Sequence, residues 1–170
     1  MRNEPGRALT LHPAGGAPTA AFLFRHCAPL PADPDAQRRL LHERYEGFSW
    51  RAPQALEAFD DSDDFYLDVV QRVRTRTWSR GHVVLLGDAA SSLTILGEGA
   101  SMALVGAEAL TLALRESADV REALGRYERG LRSRVERAQA GAGLGAAFLV
   151  PRTRVALAVR NAAARLMRRV

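Results

Sequence analysis

Residues 82–104, HVVLLGDAASSLTILGEGASMAL, combine residue types and spacings that could do chemistry. An apolar β-type run ends at Gly87-Asp88, and Ala89 and Ala90 keep the wall behind it thin. Gly97 and Gly99 then bracket Glu98, and Ala100 and Ser101 lead into an apolar helix. Glycine lets backbone approach a ligand closely and reach positive φ. The N-terminus of the following helix offers unpaired N–H groups and the positive end of its dipole, a ready anion site. At the strand end, the Asp88 carboxylate can accept two hydroxyl hydrogen bonds. A lone Gly-Asp would more often be a helix cap, with the glycines packing closely. Gly-Asp-Ala-Ala after an apolar run, with Gly-x-Gly before an apolar helix, favours the ligand.

Other residues that could react are poorly placed to do so. His12, His26, His42 and His82 are scattered, with no zinc-type His/Cys spacing, so no metal site is expected. His26 and Cys27 are neighbours at the end of a β-type run and point to opposite faces. Ser91 and Ser92 lack the Gly-x-Ser-x-Gly setting of a nucleophile. The acidic run at 60–64, DDSDD, has neither the glycine nor the closing glutamate of a calcium loop, so an exposed turn is expected. Arg72, Arg74 and Arg76 could border a pocket, although exposed strand arginines are commoner. No catalytic acid or base stands out. The glycines at 141, 143 and 145 fit a dinucleotide-type Gly-x-Gly spacing, but follow an arginine-rich helix and lack the acidic partner further on. They read as a flexible joint or a close helix contact.

The elements that must position the 82–104 stretch follow from hydrophobic periodicity. Segments 7–13 and 18–26 are β-type runs joined by Ala-Gly-Gly-Ala, a hairpin. A helix is expected over 36–46 with Asp35 as its cap, and Pro53 opens a short second helix. Residues 65–75 alternate as a strand, and 82–86 read as a strand buried on both faces. Trp78 should pack against that strand. Residues 101–114 are apolar almost all round, the pattern of a buried helix. A helix over 120–138 carries Val120, Leu124, Tyr127, Leu131, Val135 and Ala138 on one stripe. Segment 141–151 reads as a break. The last helix places Val155, Val159, Ala162, Leu166 and Val170 on a stripe flanked by arginines, as for a helix docked on a body or a partner.

Composition bounds the rest. A chain of 170 residues, 47% apolar, supports one domain or two small lobes with a real core. Its single cysteine excludes an internal disulfide framework and fits a reducing compartment, so a cytoplasmic protein is expected. No apolar run approaches the roughly 18–20 residues that span a bilayer, and residues 1–10 lack a signal-like apolar core. All 24 basic residues are arginine, as in proteins from GC-rich genomes, and the net charge is +5. Residues 121–170 hold 12 arginines against 3 acidic residues. Helical spacing assigns these arginines to solvated faces, and no aromatic residues interleave with them to stack on bases. Neither nucleic acid nor membrane is expected as a partner.

Segment 76–114, RTWSRGHVVLLGDAASSLTILGEGASMALVGAEALTLAL, resembles the second FAD-binding motif of the para-hydroxybenzoate-hydroxylase-like flavoprotein monooxygenases. Fainter similarity extends over most of the chain: 127–139 is similar to that family's next helix, and the β-type runs to its substrate sheet. Loop 91–96 departs from many members in lacking a proline and the histidine or aromatic residue after Gly-Asp-Ala-Ala. It is also about one residue shorter.

The resemblance implies an α/β fold, α+β by content, forming the C-terminal portion of a para-hydroxybenzoate-hydroxylase-like fold. The N-terminal GxGxxG Rossmann part is expected to be absent. It implies a substrate-sheet remnant over 1–75, an FAD segment over 76–140 and an amphipathic helix over 141–170. Gly87, Asp88, Ala89, Gly97, Glu98, Gly99, Ala100 and Ser101 would bind FAD. Asp88 would hold the ribityl chain, and N–H groups around Gly97, Gly99 and Ala100 would approach the flavin edge. The implied activity is NAD(P)H-reduced hydroxylation of an aromatic or polyketide-like small molecule. A separate Rossmann-type half or self-association is expected to complete the protein. The alternative is a non-catalytic remnant or interaction module of the same fold.

Overall fold

The computed structural model describes residues 1–14, 17–92 and 99–167. Its elements are, in chain order, strands β1 (Arg2–Glu4), β2 (Arg7–Ala14) and β3 (Ala17–Phe24), helices α1 (Pro34–Tyr45) and α2 (Ala52–Asp60), strands β4 (Ser79–Arg80) and β5 (Val83–Val84), and helices α3 (Asp88–Ser91), α4 (Gly99–Glu116), α5 (Val120–Leu149) and α6 (Arg154–Met167). Helix dominates strand, the α+β content expected. The chain forms two compact units, one of residues 1–69 with 146–170, the other of residues 70–145.

In the first unit β1, β2 and β3 form an antiparallel sheet in that order, with Leu9 opposite Phe22. This is the expected hairpin plus a strand too short for alternation to announce. One face carries Leu9, Leu11, Ala20 and Phe22, and α1 and α2 cover it with Leu41, Tyr45, Phe48, Ala52 and Phe59. Period-2 side chains on the sheet meet period-3.6 side chains on the helices, so both apolar faces leave water together. The buried Tyr45 hydroxyl donates to Ala8 O at 2.6 Å and Leu23 O at 2.9 Å, tying α1 to both long strands. Burial pushes its phenol pKa upward, only partly offset by those backbone contacts. Helix α1 begins earlier than expected. Asp33, not Asp35, is the cap, its carboxylate accepting from Ala36 N at 2.8 Å, and Pro34 takes the first helical position, where its missing N–H costs nothing.

The expected break at 141–151 is corrected. Helix α5 runs on through Gly141, Gly143 and Gly145 to Leu149, although each glycine costs about 1 kcal/mol relative to alanine. The sheet secures this helix end. Arg25 donates to Ala146 O and Val150 O, Asn3 Nδ2 to Leu149 O at 2.7 Å, and Gly6 N to Pro151 O at 2.8 Å. Ala146 O also accepts from Val150 N at 3.0 Å, whereas Leu149 O and the carbonyls after it lie where an ending helix supplies no donor.

Three further expectations fail for a shared reason. Residues 65–75 form no strand. Helix side chains take several of the carbonyls a neighbouring strand would pair: Gln139 Nε2 donates to Val73 O, and Arg132 to Thr75 O and Arg76 O. The 82–86 run is a strand only at Val83–Val84, paired among the described residues with β4 alone, and Val83 is 71% exposed. A strand buried on both faces needs neighbours on both sides. Helix α4 buries Met102, Gly106 and Ala113 but leaves Leu104 73% exposed, so it is not the buried helix its composition predicts. No single helix among the described residues is long and apolar enough to cross a membrane.

Candidate functional site

The second unit is organised by one buried cluster: Trp78, Ala90, Met102, Ala113, Ala123, Tyr127, Leu131 and Val135. Trp78, 3% exposed, packs on Tyr127 with ring centroids 5.7 Å apart, and its carbonyl accepts from Leu85 N at 2.8 Å. It thus packs against the motif strand, as expected. Tyr127 OH donates to Leu85 O at 3.2 Å, and burial raises its pKa, with the neighbouring Glu128 adding to the effect. The chain leaving β5 is therefore held from both sides just before Gly87.

Gly87 turns that chain with φ 62° and ψ −137°, a conformation that strains any residue with a Cβ. Its carbonyl accepts from Ala90 N, Ser91 N and Ser91 Oγ at 2.9–3.0 Å, which starts α3 at Asp88. A Cβ added at Gly87 would lie 3.6 Å from Ala103 Cβ, so the turn sits against the first turns of α4. Gly106, where a Cβ would lie 3.4 Å from Leu86 Cδ1 and 3.5 Å from Leu131 Cδ2, fixes α4 on its inner side.

The Gly87 turn and the start of α4 are thereby neighbours. Asp88, Ala89, Ala100 and Ser101 are exposed, while Gly87 and Gly99 are half-buried. Gly97 and Glu98 lie outside the described residues. Among the described residues the Asp88 carboxylate has no hydrogen-bond partner. The 18 residues of α4 carry no acidic side chain in their first turn. The arrangement offers an unengaged carboxylate, a glycine turn and a helix start facing solvent in one neighbourhood. An anionic ligand bearing hydroxyls suits those donors and that acceptor.

Residue-pattern reasoning missed Gln139 and Glu128. Gln139, 2% exposed, donates to Val73 O at 2.9 Å and Ser92 O at 3.3 Å, so α5 holds both the segment before the motif strand and the end of the Gly-Asp turn. Its spacing of four from Val135, on the buried stripe, was the available signal. Glu128 accepts from Trp78 N at 2.9 Å and pairs with Arg132, which also lies over the Trp78 ring. Burial pushes the Glu128 carboxyl up, but Arg132 and the Trp78 N–H outweigh it and hold it below the usual range. Arg72 is committed to Gln139 O, at 3.0 Å.

The first unit holds a cavity of about 840 Å³ between the sheet, α1, α2 and segment 62–67, lined by Leu11, Phe22, Leu41, Phe59, Phe65 and Arg51 among others. His26 and Cys27 form no reactive pair: His26 Nδ1 accepts from Arg44 Nη2 at 3.1 Å, and Cys27 is exposed.

No family model matches the sequence. The chain is 34% identical over 124 residues to a flavin-dependent monooxygenase from an unidentified prokaryote, covering 71% of this chain and 32% of that protein. Two solved structures of tetracycline destructases align with it. Tet(55) has a TM-score of 0.77 and 28% identity over 82% of this chain and 38% of its own. Tet(51) has a TM-score of 0.76 and 30% identity over 94% and 45%. The chain spans about a third of the length of the curated relatives it matches. Identity and superposable geometry run together over most of its length, and the chain belongs to the FAD-dependent monooxygenases, matching a C-terminal part of them.

Proposed function

We propose that this chain forms the ribityl and flavin side of an FAD site in a monooxygenase acting on an aromatic or polyketide-like small molecule. The observation that carries the reading is the unengaged Asp88 carboxylate, set on a glycine-only turn that packs against the start of α4. Asp88 would accept from ribityl hydroxyls. The N–H groups around Gly99, Ala100 and Ser101, with Gly97 and Glu98 before them, would face the flavin edge, and Ala89 would leave room for the chain. Bound FAD would supply the redox chemistry, with NAD(P)H as reductant. The protein's share is orientation and a positive helix start near developing negative charge. The destructases' name supports a multi-ring substrate. The aromatic-lined cavity of the first unit also falls in the range of roughly 300–1,000 Å³ typical of small-molecule pockets.

On this reading the ADP half of FAD is held by residues beyond these 170, on the same polypeptide or another. The glycines at 141–145 do not hold it, because they lie inside α5. The test is FAD retention through gel filtration, with and without a co-expressed polypeptide bearing a strand–GxGxxG–helix unit from a related monooxygenase. Stoichiometric FAD is expected only in the mixture, and Asp88→Ala should weaken it about tenfold or more. Unchanged retention in that variant removes Asp88 from the site. A second reading, a non-catalytic interaction module, is favoured by the exposure of Val83 and Leu104. It gains if the mixture holds no FAD while the chain self-associates through those residues.

A further inference from the structure

The inner stripe of α5 runs through Leu124, Tyr127, Leu131, Val135 and Gln139, each 4% exposed or less. An apolar side chain at 139 would continue that stripe with no hydrogen bond to satisfy. A buried amide is tolerated only when its donors are engaged, and Gln139 engages two segments far apart in the chain. Its Nε2 donates to Val73 O at 2.9 Å and to Ser92 O at 3.3 Å, while its own carbonyl accepts from Arg72 Nη1 at 3.0 Å. The amide group is planar, so the shorter bond to Val73 O fixes the direction of the second hydrogen, toward Ser92.

Ser92 closes the turn that presents Asp88. Helix α3 has only 4 residues, too few to hold its own shape in water. Just before it, Leu85 N donates to Trp78 O and Leu85 O accepts from Tyr127 OH, which fixes the entry to Gly87. At the other end Ser92 N donates to Asp88 O at 3.2 Å, and Gln139 donates to the Ser92 carbonyl. Ala90 and Ser91 are buried, 1% and 4% exposed, whereas Asp88 is exposed. The direction of the Asp88 carboxylate therefore depends on both ends of one short turn. A side-chain amide on α5 holds the second end.

We infer that Gln139 is a positioning residue for FAD: through Ser92 it holds the Gly87–Ser92 turn in the form in which the Asp88 carboxylate meets the ribityl hydroxyls. The inference rests on the FAD reading proposed above. Two substitutions isolate the amide. Gln139→Leu fills similar space without a donor. Gln139→Glu keeps one O–H donor while its carboxyl is neutral and none once ionised, when it also faces two carbonyl oxygens. Burial and those acceptors raise the carboxyl pKa, so the clamp is present at low pH and is lost as pH rises through the raised value.

The experiment measures the rate of FAD release from the mixture of this chain with the strand–GxGxxG–helix polypeptide, for wild type, Gln139→Leu, Gln139→Glu and Val135→Ala. Val135→Ala opens a cavity one turn away on the same stripe and removes no hydrogen bond, so it reports what lost stability alone does to release. Gln139→Leu is expected to release FAD about tenfold faster than either wild type or Val135→Ala. Gln139→Glu should release it near the wild-type rate at low pH and near the Gln139→Leu rate at higher pH. Wild type should lack that step, because its residue 139 does not titrate. Release from Gln139→Leu no faster than from Val135→Ala, or a Gln139→Glu profile parallel to wild type, overturns the inference and leaves the FAD reading standing. If Gln139→Leu fails to fold, the Gln139→Glu profile decides. A wild-type mixture that retains no FAD overturns both.

Discussion

The two units bury their apolar residues with unequal success. The first closes its core from its own elements: the face of β2 and β3 bearing Leu9 and Phe22 meets Leu41, Tyr45 and Phe48, and the Tyr45 hydroxyl spends itself on two strand carbonyls. The second carries the Gly-Asp turn yet leaves Val83 and Leu104 in solvent. An antiparallel sheet needs cover on one face only, whereas an apolar strand between two layers needs neighbours on both sides. The unit whose sheet core closes on its own helices does not carry the Gly-Asp turn, and the unit that carries it leaves Val83 and Leu104 uncovered.

That contrast can be broken or sharpened by substitution. The largest effect is expected from Tyr45→Ala, which opens a cavity and removes the hydroxyl that ties α1 to two strand carbonyls in the closed unit. A loss of about 3–5 kcal/mol is expected in urea titration, and a loss near zero would show that the sheet–helix layer is not the stabilising core. Next comes Gly87→Ala in the open unit. It should cost about 2–3 kcal/mol from the forced positive φ, read by thermal melting of the buried Trp78 fluorescence in a Trp50→Phe background.

A smaller and pH-dependent effect is expected at Glu128. Its folded pKa is depressed from an ordinary value of 4.5, so its stabilisation is present above that value and is lost as pH falls through the folded pKa. Glu128→Gln should flatten the acid limb of stability of the second unit below about pH 4.5, seen in Trp78 fluorescence. A curve parallel to wild type would show that the Trp78–Arg132 bridge contributes little. The smallest change is expected from Asp33→Ala, which removes the α1 cap for about 1 kcal/mol. A value well above that would mean that Arg39, 3.8 Å away, depends on Asp33 more than an exposed pair should.

Much of this was legible before any coordinates. The hairpin, α1, α2 and the stripe Leu124–Tyr127–Leu131–Val135 follow from local periodicity, because each element buries a face it can form alone. Trp78 beside the motif strand was equally readable. The 65–75 run was not, since alternation describes a side-chain pattern and not whether a partner strand exists. Nor was the continuation of α5, where Arg25 and Asn3 reach the helix end from more than 100 residues away in sequence.

By itself the sequence determined the family and the chemistry to expect. Gly87, Asp88, Gly97 and Gly99 report backbone conformation and hydrogen-bonding capacity, which are local properties of residue type and spacing. Only the tertiary structure decided which apolar surfaces are covered. It turned the α6 stripe outward, left Leu104 in solvent and set Gln139 between Val73 and Ser92. Hydrophobicity says that a surface seeks cover, while the packing of the whole chain decides what supplies it.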